Sequence, residues 1–172
     1  MSRLYTIPLN GLKEGSYSYD FEVSGEFFDD YEGSEIRECD LRLRVEIEKL
    51  AGHYNVRFLL KGVVRVVCDR CLGEYMQPVN SENRLVVKGG GEFDDSDPEL
   101  LILPASMLDL DISQFIYEYS HLSLPIRKVH PEGPDGKVMC DPEMIRRISN
   151  TGEGHRGPGP EWDKLKEFLH EN

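Results

Sequence analysis

Leu41-Arg-Leu-Arg-Val-Glu-Ile-Glu48 places an apolar residue at every odd position and a charged one at every even position. Successive side chains of a strand point to opposite sides, so this stretch predicts a β-strand with one buried and one wet face. After the turn-like Ala51-Gly-His-Tyr-Asn55, with His53 expected in the turn, the run Val56 to Val67 repeats the pattern. Val56, Phe58, Leu60, Gly62, Val64 and Val66 fall on one face, and Arg57, Lys61 and Arg65 on the other. The two runs are expected to pair as an antiparallel hairpin.

Working outward, Tyr17, Tyr19, Phe21 and Val23 alternate with Ser18, Asp20 and Glu22, as a half-buried strand requires. Phe27 and Phe28 are expected in an acidic loop, Leu85-Val-Val87 as a short strand, Gly89 to Pro98 as a flexible acidic loop, and Leu100 to Leu103 as an edge strand. Asp111 reads as a helix cap with Gln114 three residues on, and Ile112, Phe115, Ile116 and Tyr119 recur at helical spacing, predicting a helix that closes one face of the sheet. Asp141, Pro142 and Glu143 announce a second short helix. The expected fold is α+β, mainly an antiparallel β-sheet with a few short helices toward the C-terminus. Residues 1–149 form that domain, 150–160 a flexible Gly/Pro linker, and 161–172 an amphipathic tail helix with Trp162, Leu165, Phe168 and Leu169 on one side.

The chain of 172 residues carries a net charge of −12, which opposes approach to nucleic acid as a whole. That charge is unevenly spread. Asp20 to Asp40 holds nine acids against Arg37, and Glu92 to Glu99 holds five more, whereas Leu41 to Leu72 carries seven bases against three acids. The acid runs read either as a solvated surface or as a docking surface for a basic partner. Arg42, Arg44, Arg57, Lys61, Arg65 and Arg70 are the candidate partner-binding bases. No stretch has the length of apolar residues that a membrane-spanning helix needs, and Arg3, Pro8 and Asn10 interrupt any signal-peptide core, so a cytoplasmic location without membrane contact is expected.

Cys68-Asp-Arg-Cys71 carries the hardest chemical signal, two thiols that a tight turn can aim at one metal ion. A structural zinc site needs four ligands, and His130 and Cys140 could complete it as Cys3His. No second tight pair is present and nine residues separate His130 from Cys140, so a metal-free structural pair stands ahead of zinc, with a redox pair behind both. A thiol oxidoreductase would place the pair at the start of a helix within a βαβ pattern, which this sequence lacks. Cys39 reads as a stray thiol and His121 as a capping or packed histidine near a helix end. Neither His-Glu-x-x-His, Gly-x-Ser-x-Gly nor a phosphate-binding Gly loop occurs, so neither an enzyme nor a small-molecule substrate is expected.

Gly11-Leu-Lys13, Phe27-Phe28, Glu35-Ile36, Gly62-Val-Val-Arg-Val-Val-Cys-Asp-Arg-Cys-Leu72, Ile116-Tyr-Glu118 and Leu122-Ser-Leu-Pro-Ile-Arg-Lys-Val-His-Pro131 together resemble the YceD-like family of large ribosomal RNA subunit accumulation proteins. The last of these is similar to the branch found in Bacteroidetes-type bacteria. The resemblance implies a non-enzymatic factor for large ribosomal subunit biogenesis, binding a basic large-subunit ribosomal protein or pre-ribosomal RNA. Many members carry a second cysteine pair downstream, and this chain departs from that pattern in offering His130 and Cys140 instead. The alternatives are a thiol oxidoreductase using Cys68 and Cys71, or a zinc-dependent structural binding module.

Overall fold

The computed structural model describes residues 3–104, 106, 109–133, 136 and 138–151. A 3-10 turn at Arg3–Tyr5 leads into β1 (Thr6–Pro8) and β2 (Gly15–Ser24), followed by α1 (Gly25–Asp29). Next come β3 (Cys39–Lys49), β4 (His53–Val67), β5 (Glu74–Gly89), β6 (Asp94–Asp97), β7 (Leu100–Leu103), β8 (Asp109–Asp111), α2 (Ser113–Leu122) and α3 (Pro142–Thr151). The fold is α+β. Six strands form one sheet in the order β2-β3-β4-β5-β7-β6, and β1 pairs with β8 as a separate ribbon. All neighbours in the sheet are antiparallel except β5 and β7.

The strictest alternation in the sequence builds the centre of the sheet. Leu41 opposes Gly62, Leu43 opposes Leu60, Val45 opposes Phe58 and Ile47 opposes Val56, so both strands turn their apolar residues to the same side. All of these but Gly62 are buried. Gly62 is demanded by close approach: a Cβ there would lie 2.0 Å from the Asp40 carbonyl oxygen. Helix α2 covers this face, with the Phe115 and Tyr119 rings 5.7 and 5.2 Å from the Phe58 ring.

Several segments differ from their sequence-based expectation. Phe27 and Phe28 belong to α1, and Phe28 is fully buried, packed edge-on to His121. Leu85–Val87 is the end of the 16-residue β5, whose earlier residues Gln77, Ser81 and Asn83 hide the apolar alternation. The acidic tract contains β6, which pairs with β7, so β7 is interior and β6 is the edge. His53 opens β4. Ile112, rather than Asp111, caps α2, while Asp111 Oδ1 accepts a 2.9 Å hydrogen bond from the Ser113 N–H. For α3 the sequence reading holds: Asp141 Oδ1 accepts the Glu143 N–H at 2.8 Å.

The fold divides into two compact units. Of the described residues, those up to Val67 and Glu74–Lys128 form the first, which contains the sheet, α1 and α2, and Cys68–Gly73 with those from Val129 to Thr151 form the second. Helix α3 extends through Thr151, into the stretch expected to be linker. The remaining linker and the tail-helix segment lie outside the described residues. Among the described residues no helix is long and apolar enough to cross a membrane.

Candidate functional site

Cys68 to Gly73 form a closed turn between β4 and β5 in sequence. The Cys68 N–H donates to the Gly73 carbonyl and the Leu72 N–H donates to the Cys68 carbonyl, each at 2.9 Å. Leu72 adopts φ 60°, a left-handed conformation costly for a branched side chain, and its side chain is 68% exposed, so its own burial does not offset that cost. The turn keeps Cys68 and Cys71 buried.

The other two ligands come from a folded-back loop. Glu132 and Val138 form an antiparallel bridge, the Met139 N–H donates to the Pro131 carbonyl at 3.3 Å, and Gly136 makes the bend with φ 72°. Continuing that register outward sets His130 opposite Cys140. The nine-residue gap that looks loose as a linear spacing is therefore closed by a hairpin.

The ligand atoms of Cys68, Cys71, His130 and Cys140 all lie within 4.8 Å of one another. Cys68 Sγ and Cys140 Sγ are 3.8 Å apart, Cys71 Sγ is 3.4 Å from His130 Nδ1, and Cys140 Sγ is 3.8 Å from the same nitrogen. A tetrahedron with zinc–sulfur bonds of about 2.3 Å has sulfur–sulfur edges of about 3.8 Å, and sulfur–nitrogen edges slightly shorter. Sulfurs in a disulfide would be far closer, near 2 Å, and all four cysteines are free thiols.

The acid–base chemistry fits a cation as well. Burial opposes ionisation of Cys68, but the backbone N–H groups of Cys71, Arg70 and His130, with the His130 ring, outweigh it and bring the thiol down to about 6. Burial, then the neighbouring Cys68 and Cys71 sulfurs, push Cys140 up to about 11. The raised Cys140 thiol reflects the neighbouring sulfurs, and a bound divalent ion would favour its thiolate. The depressed Cys68 thiol alone would suit thiol chemistry, but Cys68 is fully buried and hemmed in by Cys140 and His130.

The candidate basic residues are distributed differently. Arg42, Arg44, Arg57, Lys61 and Arg65 share the outer face of β3 and β4, whereas Arg70 lies in the Cys68–Gly73 turn of the second unit. Three of the five have carboxylate partners. Arg44 pairs with Asp20 at 2.8 Å, Arg57 with Glu46 and, at 3.9 Å, with Glu82, and Arg65 with Glu38 and Glu74 at 2.7 and 3.1 Å. Arg42 and Lys61 oppose each other in register and form no ion pair with a described residue. Sequence reading missed these pairings because the carboxylates come from neighbouring strands.

It also missed Ser34, a buried residue whose Oγ lies 3.3 Å from His121 Nε2. His121 Nδ1 is 2.8 Å from the Tyr117 carbonyl, which can only accept, so Nδ1 carries the hydrogen and Nε2 faces the serine. Ser34 Oγ also accepts the Ile36 N–H at 3.2 Å. At 3% exposure the serine serves to tie its loop to α2. Cys39 is half-buried with Sγ 3.6 Å from the Val23 carbonyl.

A mixed sheet together with a loop-built cluster of three cysteines and a histidine, which could hold a metal ion, defines the class of protein at hand. The chain belongs to the YceD family, described as large ribosomal RNA subunit accumulation protein, whose family model matches residues 56–169 and thus all four ligands. The match begins within β4, so the resembling residues Gly11 to Ile36 lie outside it. Searches of curated proteins and of solved structures gave no significant match. The family description ties the chain to accumulation of large-subunit ribosomal RNA.

Proposed function

We propose that this protein is a non-enzymatic factor in large ribosomal subunit biogenesis, working in the cytoplasm by binding a basic ribosomal protein or pre-ribosomal RNA. The family match supports the assembly role. In this reading Arg42, Lys61 and Arg70 are the first contacts for phosphate, Arg44, Arg57 and Arg65 having to leave their carboxylate partners to join them, and Cys68, Cys71, His130 and Cys140 hold one structural zinc ion. The observation that carries the zinc reading is burial: among the described residues of the second unit, only Cys68, Cys71 and Cys140 are buried. Described residues that bury no aliphatic side chain of their own are of the kind that a metal or other cross-link holds together. All four protein ligands are supplied, as in structural sites, leaving none of the open coordination that catalytic zinc requires.

A strain lacking the protein is expected to show a lowered ratio of large to small ribosomal subunits, with large-subunit RNA precursors depleted or unprocessed. An unchanged ratio overturns the assembly reading. Elemental analysis of purified protein should find one zinc per chain and much less in Cys140→Ser; metal-free protein with residues 129–140 still ordered overturns the zinc reading.

A further inference from the structure

Within the first unit, a groove of about 1000 Å³ opens between β6, β7, β8 and the starts of α1 and α2. Its floor is apolar, with Leu85, Leu101, Leu103 and Leu110 all buried, and Phe93 stands at its edge 52% exposed. Among the described residues lining it, seven are carboxylates and none is Lys, Arg or His. Asp95 and Asp97 come from β6, Asp109 and Asp111 from β8, and Glu26 and Asp30 from α1 and its end. All seven, Glu118 included, are exposed, and none forms an ion pair with a described residue.

From this groove we infer that the protein holds a cationic polypeptide segment, with an apolar or aromatic side chain seated on the leucine floor and flanking Lys or Arg residues meeting the carboxylates. The inference rests on the binding-factor reading above for the partner's biological setting, and on the groove for its place and chemistry. Among the described residues no base lines this charge, whereas the outer face of the sheet matches Arg44, Arg57 and Arg65 with carboxylates of its own. Tyr31, in the groove wall, has its phenol pushed up by burial and then by Asp111 and Asp30, as a field of one sign predicts. Phosphate-bearing partners are repelled by such a field, so RNA and anionic membranes are poor occupants. A small polyamine would satisfy the rim and leave the floor wet. The volume is at the upper end for small-molecule pockets, and the groove is open and apolar along its base, as suits a peptide anchored by one or two side chains.

The test uses the full chain and three labelled probes: a Lys/Arg-rich peptide carrying Phe and Leu, the same peptide with Ser replacing Phe and Leu, and a single-stranded RNA of equal length. Fluorescence polarisation should show the first peptide bound more tightly than the other two, with affinity falling as salt rises. Asp95→Lys with Asp109→Lys should weaken it about tenfold or more, and Phe93→Ser should weaken it without altering the salt slope. Glu22→Lys with Glu48→Lys, an equal change of charge on the outer face of the sheet, should leave it unchanged. Equal loss in that control, equal binding of the serine peptide, preference for RNA, or no peptide binding each overturns the groove. So does tighter binding in Trp162→Ser with Phe168→Ser, which would assign the groove to the chain's own tail segment, or dimerisation that the groove variants abolish. Peptide binding that survives while deletion leaves subunit ratios unchanged sinks the assembly role and spares the groove; the reverse pattern does the opposite.

Discussion

The sheet and the Cys/His unit hold their shape by opposite means. Leu41, Val45, Phe58, Val64 and Ile116 are each no more than 1% exposed and belong to one continuous apolar cluster, so the first unit is stabilised by area removed from water, spread over many side chains. Among the described residues of the second unit three sulfur-bearing side chains are buried and nothing else is; Leu72 and Met139 are more than 60% exposed. On the zinc reading proposed above, its stability is concentrated in four ligand atoms. A distributed core loses a fraction of its stability when one residue is removed, whereas a four-ligand centre loses most of it.

The largest expected effect follows directly. Stripping metal from the full chain with a strong chelator, or substituting Cys68→Ser, should abolish amide protection across residues 129–140 while protection in β3 and β4 stays as it was. Structural zinc in small modules contributes on the order of 10 kcal/mol at neutral pH, more than described residues that bury no aliphatic side chain can replace. Hydrogen exchange checks it residue by residue. Loss of protection in the sheet at the same time would show that the two units do not stand on separate supports. Phe58→Ala should act the other way round. Phe58 is fully buried against Phe115 and Tyr119, so its truncation should cost about 3–5 kcal/mol in a urea titration of the sheet while metal content stays at one per chain. A cost below about 1 kcal/mol would mean that the core collapses around the gap and is less tightly packed than its burial implies.

The same division explains what could be read in advance. Strands β3 and β4 bury one side and β2 half-buries one, and period-two alternation records that in the sequence. Strand β5 does not, because β7 pairs only with its Val86–Gly89 end. Its first two-thirds pair with β4 alone, which also explains Pro78: a residue without an N–H is tolerated where the second edge of a strand has no neighbour. Strand β6 is fully exposed and acidic, so no apolar pattern marks it. In the Cys/His unit the Cys68-x-x-Cys71 pair was visible because a turn is local. The approach of His130 to Cys140 was not, since it depends on a hairpin whose apolar residues Val138 and Met139 stay exposed and leave no periodic trace. The groove was legible only as its ingredients, two acid runs and an apolar strand, because their juxtaposition depends on β6 turning back along β7.

The smallest effect separates the fourth cysteine from the other three. Cys39 belongs to the core-built unit, where burial, then the charge of Asp40, raises its thiol from 9.0 to about 11. Below pH 9 the thiol is protonated in both folded and unfolded chains and adds no pH dependence. Between about 9 and 11 the unfolded chain releases the proton and the native chain retains it, so stability falls as pH rises through this window. Because Cys39 is only half-buried, the loss between pH 8 and 10 should be on the order of 1 kcal/mol or less. It should appear as a larger drop in urea midpoint for the native sequence than for Cys39→Ala, the contribution of the buried tyrosines being common to both chains. Equal drops in the two chains would mean that Cys39 ionises as freely folded as unfolded, and that the start of β3 is wetter than its place beside Val23 implies.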